Sequence, residues 1–250
     1  MSDDKLEKFR DLRFADFQRM ASDESLKPFE KIGFPSSFRE GFDHLIFQDI
    51  ARKVPQLHAP QTKIMDIGCG CGTLTQIVID NARLLNQQLI LVDAGAVLDQ
   101  LPNENFLIKI PGRFPEEMES KIAGIEPEII ICYSVFHYIF IEGNPFAFIE
   151  KALSLLSPGG MFLLGDIPNI SKRNRFLSTP QGERFHKKVM NTDDSPMVKP
   201  FELSEGKIDD GFISGILNRY RNFGVETYLL PQSSELPLSN SREDILFIKY

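Results

Sequence analysis

The 250-residue sequence has no tryptophan and only three cysteines, Cys69, Cys71 and Cys132. So few thiols, odd in number, exclude a disulfide framework and leave a reduced, cytoplasmic setting as the expectation. Positive charge is also short: 28 Lys and Arg stand against 35 Asp and Glu, a formal net of −7. That balance excludes a surface given over wholly to nucleic acid. No apolar run approaches the roughly 18 residues of a membrane span, and residues 1–13 are densely charged, unlike a secretory leader. What is plentiful is phenylalanine, 21 residues within a hydrophobic fraction of 42%. This is material for a well-stocked core, at a length that suits one large α/β domain, or one domain with a cap.

Leu6, Phe9, Leu12, Phe17 and Met20 fall near one helical face, so residues 1–31 read as an amphipathic helix that either covers the core or lies over the active site, the first part of a helical lid over residues 1–55. Ser37 with Glu40 is a capping-box pattern opening a second helix through about Lys53. From residue 60 the chain alternates. Apolar strands are expected at 63–67, 88–92, 105–110, 128–132 and 161–165, with helices at 73–85 and 146–156. Continuous apolar strands between helices indicate a parallel sheet buried on both faces. A helix at 209–223 then precedes strands at 225–230 and 245–249, too closely joined to be parallel. Residues 168–208 exceed what the sheet needs and are expected to fold as a cap.

The chemistry concentrates in Ile64-Met65-Asp66-Ile67-Gly68-Cys69-Gly70-Cys71-Gly72-Thr73. A strand runs through alternating glycines straight into a helix, as a tight turn under a closely approaching ligand requires. A second strand, Leu89-Ile90-Leu91-Val92, ends in Asp93. A carboxylate there, at the sheet's carboxyl edge, is placed to accept from both hydroxyls of a ribose.

On these residues the sequence resembles the class I S-adenosylmethionine (SAM)-dependent methyltransferases. Glu128-Ile129-Ile130-Ile131-Cys132-Tyr133-Ser134 resembles that family's fourth strand, with Glu where Asp is usual, and Leu156-Ser157-Pro158-Gly159-Gly160 its approach to the fifth. The resemblance covers residues 60–167 well and 209–250 more loosely. It implies a Rossmann-like, doubly wound, seven-stranded sheet, parallel except for its last strand. It also implies SAM as cofactor, held by Asp66, Gly68, Cys69, Gly70 and Gly72, by Asp93 and Ala94, by Gly112, Arg113 and Phe114, and by Tyr133 and Ser134. One departure stands out. The family often carries an acid after the third strand to read the adenine amine, whereas here Arg113, which cannot accept a hydrogen bond, follows Gly112. Phe114 and a backbone carbonyl are the expected substitutes.

Two other readings compete. A nicotinamide-dependent oxidoreductase uses G-x-G-x-x-G to seat a pyrophosphate, but here the spacing is G-x-G-x-G, and Asp66 beside a pyrophosphate would repel it. A SAM-binding protein without catalysis stays open, because methyl transfer from a sulfonium needs alignment more than a nucleophile. Cys69, Cys71, Cys132 and His137 have the ligand types of a structural zinc site. Packing is the reading taken, since the two loop cysteines alternate with glycines, and no metal is expected.

For the acceptor, His137 just past the fourth strand is a candidate general base at its ordinary pKa of about 6.5, with core packing as its competing role. Tyr138 and Asp166 are the fallbacks. Lys172, Arg173, Arg175, Arg184, Lys187 and Lys188 face a single acid, Glu183, within residues 171–190. That excess suggests an anionic small molecule, such as a nucleotide-linked sugar. Gly165-Asp166-Ile167-Pro168-Asn169 and Arg242-Glu243-Asp244-Ile245 resemble small-molecule methyltransferases of surface-sugar biosynthesis. No Asn-Pro-Pro-Tyr-type sequence follows the fourth strand, which disfavours amide or exocyclic base nitrogens as acceptors.

Overall fold

The computed structural model describes residues 12–34, 39–198 and 205–250. The Ser37 half of the expected capping box, the Leu6 and Phe9 positions of the first helix, and residues 199–204 of the cap lie outside these. Seven strands form one sheet: β1 Lys63–Ile67, β2 Gln88–Asp93, β3 Leu107–Pro111, β4 Ile129–Tyr133, β5 Met161–Pro168, β6 Glu226–Pro231 and β7 Arg242–Ile248. Their order is β3-β2-β1-β4-β5-β7-β6. Every pairing from β3 to β5 is parallel, and β7 runs against both β5 and β6. The sheet is therefore doubly wound with one reversed strand.

Alternation along the strands divides the core in two. Leu89, Leu91, Ile129 and Ile131 pack with Ile46, Ile50, Val78 and Ile79, which come from the helices Asp43–Lys53 (α3) and Thr73–Leu84 (α4). Ile90, Val92, Ile130 and Cys132 face the other way, onto Phe148, Ile149, Ile213 and Ile216. These belong to the helices Pro145–Leu155 (α7) and Asp210–Asn222 (α10). Burial on both faces explains why the strands read as unbroken apolar runs.

Three elements differ from expectation. The chain after β4 forms a helix, Phe136–Glu142 (α6), where no helix was expected. No side chain caps its start, so the sequence carries no stop or start signal there. Strand β5 runs three residues beyond Gly165 through a register shift between Leu164 and Ile167. The lid yields two described helices, Phe14–Ala21 (α1) and Pro28–Lys31 (α2), and the cap yields Ile170–Leu177 (α8) and Pro180–Met190 (α9). A single turn, Gly95–Leu98 (α5), follows β2 and packs under α1.

Candidate functional site

The carboxyl ends of β1, β2 and β4 open into a cavity beneath the lid. Strand β1 reaches α4 through the glycine turn, in which Gly68 (φ 73°) and Gly70 (φ 68°) are left-handed. A Cβ on Gly68 would lie 2.6 Å from Val135 Cγ2, and one on Gly70 would lie 2.9 Å from Ile32 Cγ2. Torsion and space both demand glycine. Asp93 ties the turn to β2: its Oδ2 accepts from the Gly70 amide at 2.8 Å and its Oδ1 from the Ala94 amide at 2.7 Å.

Asp66 and Asp93 both line the cavity. Burial pushes the Asp93 carboxyl up to about 6, although its two backbone amides pull the other way. Burial, and then the charge of Asp93, push Asp66 up to about 7. Nothing offsets burial at Asp66. Two desolvated acids on one wall suit a ligand that brings positive charge and hydroxyl donors.

The cavity gathers most of the residues singled out in the sequence. Asp66, Gly68, Cys69, Gly70, Gly72, Asp93, Gly112, Arg113, Phe114, Tyr133, Ser134 and Tyr138 all line it. Ala94 does not. It is fully buried behind the wall with Ala21 and Val97, and it contributes only the amide that holds Asp93. Arg113 turns its guanidinium to the Glu142 carbonyl at 3.1 Å. Phe114 stands edge-on to Phe148, rooted in the core.

The three candidate bases separate. His137 is not among the lining residues, and its Nδ1 is buried without a partner. Burial first, then the Arg242 cation, push its pKa down to about 3, far below the ordinary value expected of a base. Tyr138 lines the cavity, but burial pushes its phenol up to about 12, so it donates rather than accepts near neutrality. Asp166 sits one layer back, in a smaller hollow between Phe34, Ile46 and Leu236. It accepts from Ser134 Oγ at 2.6 Å. Both partners have left-handed backbone, Ser134 at φ 63° and Asp166 at φ 58°, which strains residues other than glycine.

Sequence reasoning missed what surrounds that pair. Arg39, 5% exposed, borders both cavities and donates to Ser134 Oγ at 3.3 Å and to Asp43 at 3.2 Å. Its guanidinium lies over the rings of Phe34 and Tyr133. Gln232 donates to Asp166 at 3.2 Å and to Asp244 at 3.1 Å. Asp244 in turn accepts from Lys53 at 2.6 Å, and Lys53 also donates to Asp49. No local spacing announces such a network, because it joins five separate segments. Of the lid residues Phe14, Phe17, Lys31, Ile32 and Phe34, which roof the cavity, only Phe17 stood on the apolar helical face read from the sequence.

The basic stretch does not converge on either cavity. Lys172 donates to the Arg242 carbonyl, Arg175 pairs with Asp210 and Lys187 with Glu183. Arg173, Arg184 and Lys188 are exposed. Cys132 is buried in the core on one face of the sheet, Cys69 and Cys71 pack against the cluster on the other face, and burial raises all three thiols. Among the described residues no helix is long and apolar enough to cross a membrane.

No protein-family model matches the sequence, and no curated protein matches it significantly. Solved structures do. The chain is similar over 99% of its length to 99% of the plantazolicin methyltransferase BpumL in complex with a triazolic desmethylPZN analog and S-adenosylhomocysteine (SAH), with a TM-score of 0.60 at 14% identity. It is similar to the N-methyltransferase NodS from Bradyrhizobium japonicum WM9 in complex with SAH, over 94% of this chain and 97% of that one, with a TM-score of 0.54 at 10% identity. The CurJ carbon methyltransferase aligns over 94% of this chain and 64% of that one, with a TM-score of 0.56 at 15% identity. The fold is that of the class I SAM-dependent methyltransferases.

Proposed function

We propose that this chain binds SAM and transfers its methyl group to a small-molecule or natural-product acceptor. The observation that carries the reading is Asp93: a carboxylate at the end of β2, clamped by the glycine turn, facing a cavity with a second desolvated acid. The residues fit the group. Asp93 has lone pairs left for ribose hydroxyls, and Asp66 and the turn suit the amino-acid end. Gly112 and Phe114 offer an apolar edge for adenine. The same acids disfavour a dinucleotide, whose pyrophosphate would meet Asp66.

Bound there, SAM supplies an electrophilic methyl on a sulfonium. The chain's part is to exclude water with the lid, to align the acceptor, and to receive its proton. We assign that last role to Asp166, reached through Ser134 Oγ. The neighbouring folds serve different acceptor atoms, NodS being an N-methyltransferase and CurJ a carbon methyltransferase. A phosphate-bearing sugar has no support in the geometry, since the cations expected to hold it are paired away from the cavity or exposed.

Calorimetric titration tests the reading. SAM and SAH should bind and NADH should not, and Asp93→Asn should cost about 1.5–3 kcal/mol of affinity for either. Turnover of methyl-labelled SAM with metabolite extracts then distinguishes an enzyme from a binder. Tighter binding of NADH than of SAH would overturn the assignment.

A further inference from the structure

Helix α6 has two faces. Phe136 and Phe140 turn to the core, against Phe148 and Phe212. Tyr138 and Glu142 turn to the lid, Tyr138 meeting Phe17 edge-on at 5.0 Å. Glu142 is the last residue of α6, where the helix dipole disfavours a carboxylate, so its place calls for compensating partners. It has three. Its Oε2 accepts from the Phe14 amide, the first of α1, at 3.3 Å. Its Oε1 lies 3.6 Å from Arg13 Nε, and its Oε2 lies 4.0 Å from Arg113 Nη2. The Glu142 carbonyl also accepts from Arg113. Phe14, Arg113 and Glu142 all border the cofactor cavity.

We propose that Glu142 is a positioning residue that clasps the lid and the loop after β3 together over the cavity, and so sets the residence time of the bound cofactor. The proposal rests on the SAM reading of that cavity. One carboxylate joins the start of the roof (Arg13, Phe14), the loop at the cavity's far edge (Arg113) and the helix that follows β4. Arg13 is 76% exposed on its side chain, so its pairing is weak and screened. The charge-assisted bond to the Phe14 amide and the partly sheltered Arg113 carry the clasp. Opening the roof breaks these contacts and exposes the cavity. Closing it around a ligand restores them.

The experiment uses the full chain, Glu142→Gln and SAH as probe, with dissociation followed by stopped-flow displacement. The variant should release SAH roughly tenfold faster, the scale of one charged hydrogen bond discounted for exposure. Association and thermal midpoint should change little. Wild-type release should quicken with salt, and release from the variant should not. Hydrogen exchange on the ligand-free proteins gives a readout independent of the cofactor: amides of residues 14–21 should exchange faster in Glu142→Gln, and those of β1 and β4 should not. SAH failing to bind the wild type would remove the cofactor reading, and exchange alone would then decide whether the clasp exists. Wild-type release rates in the variant, unchanged exchange in α1, or exchange accelerated throughout the sheet would each overturn the proposal.

Discussion

Asp66 and Asp93 give the site its pH dependence. Their folded pKa values, about 7 and about 6, lie above the ordinary carboxyl value. The ligand-free fold therefore holds their protons more tightly than the unfolded chain does. The stability this contributes is fully present below pH 4 and is lost as pH rises through 6 to 7. A cation in the cavity reverses the preference by favouring the ionised acids. SAM carries a sulfonium and SAH does not, so the preference for SAM over SAH should grow about three- to tenfold between pH 5.5 and 7.5. Calorimetry at four pH values checks this, and a flat ratio would place the sulfonium away from both acids. Asp166 makes a separate claim. Asp166→Asn should lower kcat roughly 10²–10⁴-fold while SAH affinity holds; an unchanged kcat would leave the proton with another acceptor. The two sets of residues differed in legibility for a physical reason. Asp66 and the glycines form a turn within one short segment, and Asp93 ends the very next strand, so their types and spacing carry the geometry. The Ser134–Asp166 bond spans 32 positions and the Arg39–Ser134 bond 95, and only the folded sheet brings those residues together.

Among the elements, the strands were readable because burial on both faces leaves unbroken apolar runs, and their predicted ends fell within a few residues of the observed ones. The cap helices were readable in principle. Asn169 accepts from the Ser171 and Lys172 amides, and Thr179 caps a helix whose first residue is Pro180. The six cations nearby drew the sequence reading toward an anion site instead. Helix α6 left no such trace, since its N-cap is Val135, which follows the strained Ser134 and offers no capping side chain. Helix α3 shows how an ordinary amphipathic pattern hides a polar seam: Asp43, Asp49 and Lys53 are all directed inward, and Lys53 binds Asp244 of β7. Replacing Lys53 by Met leaves Asp49 and Asp244 without their cation in a buried setting. This should destabilise the fold by about 3–5 kcal/mol. Denaturant titration measures it, and a loss below 1 kcal/mol would show that water or a rearranged partner takes over.

At the scale of the whole molecule, the cavity is the place where distant parts of the chain meet. Its floor is the sheet edge, its roof the lid residues Phe14, Phe17, Lys31, Ile32, Phe34 and Arg39, and its side the helix after β4. The floor was legible from the sequence, whereas the roof's contacts depend on how the lid docks, which no periodicity specifies. A ligand that touches all three parts stabilises the folded state as a unit, because none of them presents the site when unfolded. SAH at about 100 times its dissociation constant should add about 2.7 kcal/mol. For a chain of this size each kcal/mol moves the midpoint by roughly 2–4 °C, so the melt should shift by about 5–11 °C. NADH should leave it in place. The same complex should resist proteolysis within residues 14–34, since lid opening must precede cleavage there. A full thermal shift without that protection would mean that the ligand grips only the sheet edge, and the lid would then be a cover that the cofactor does not engage.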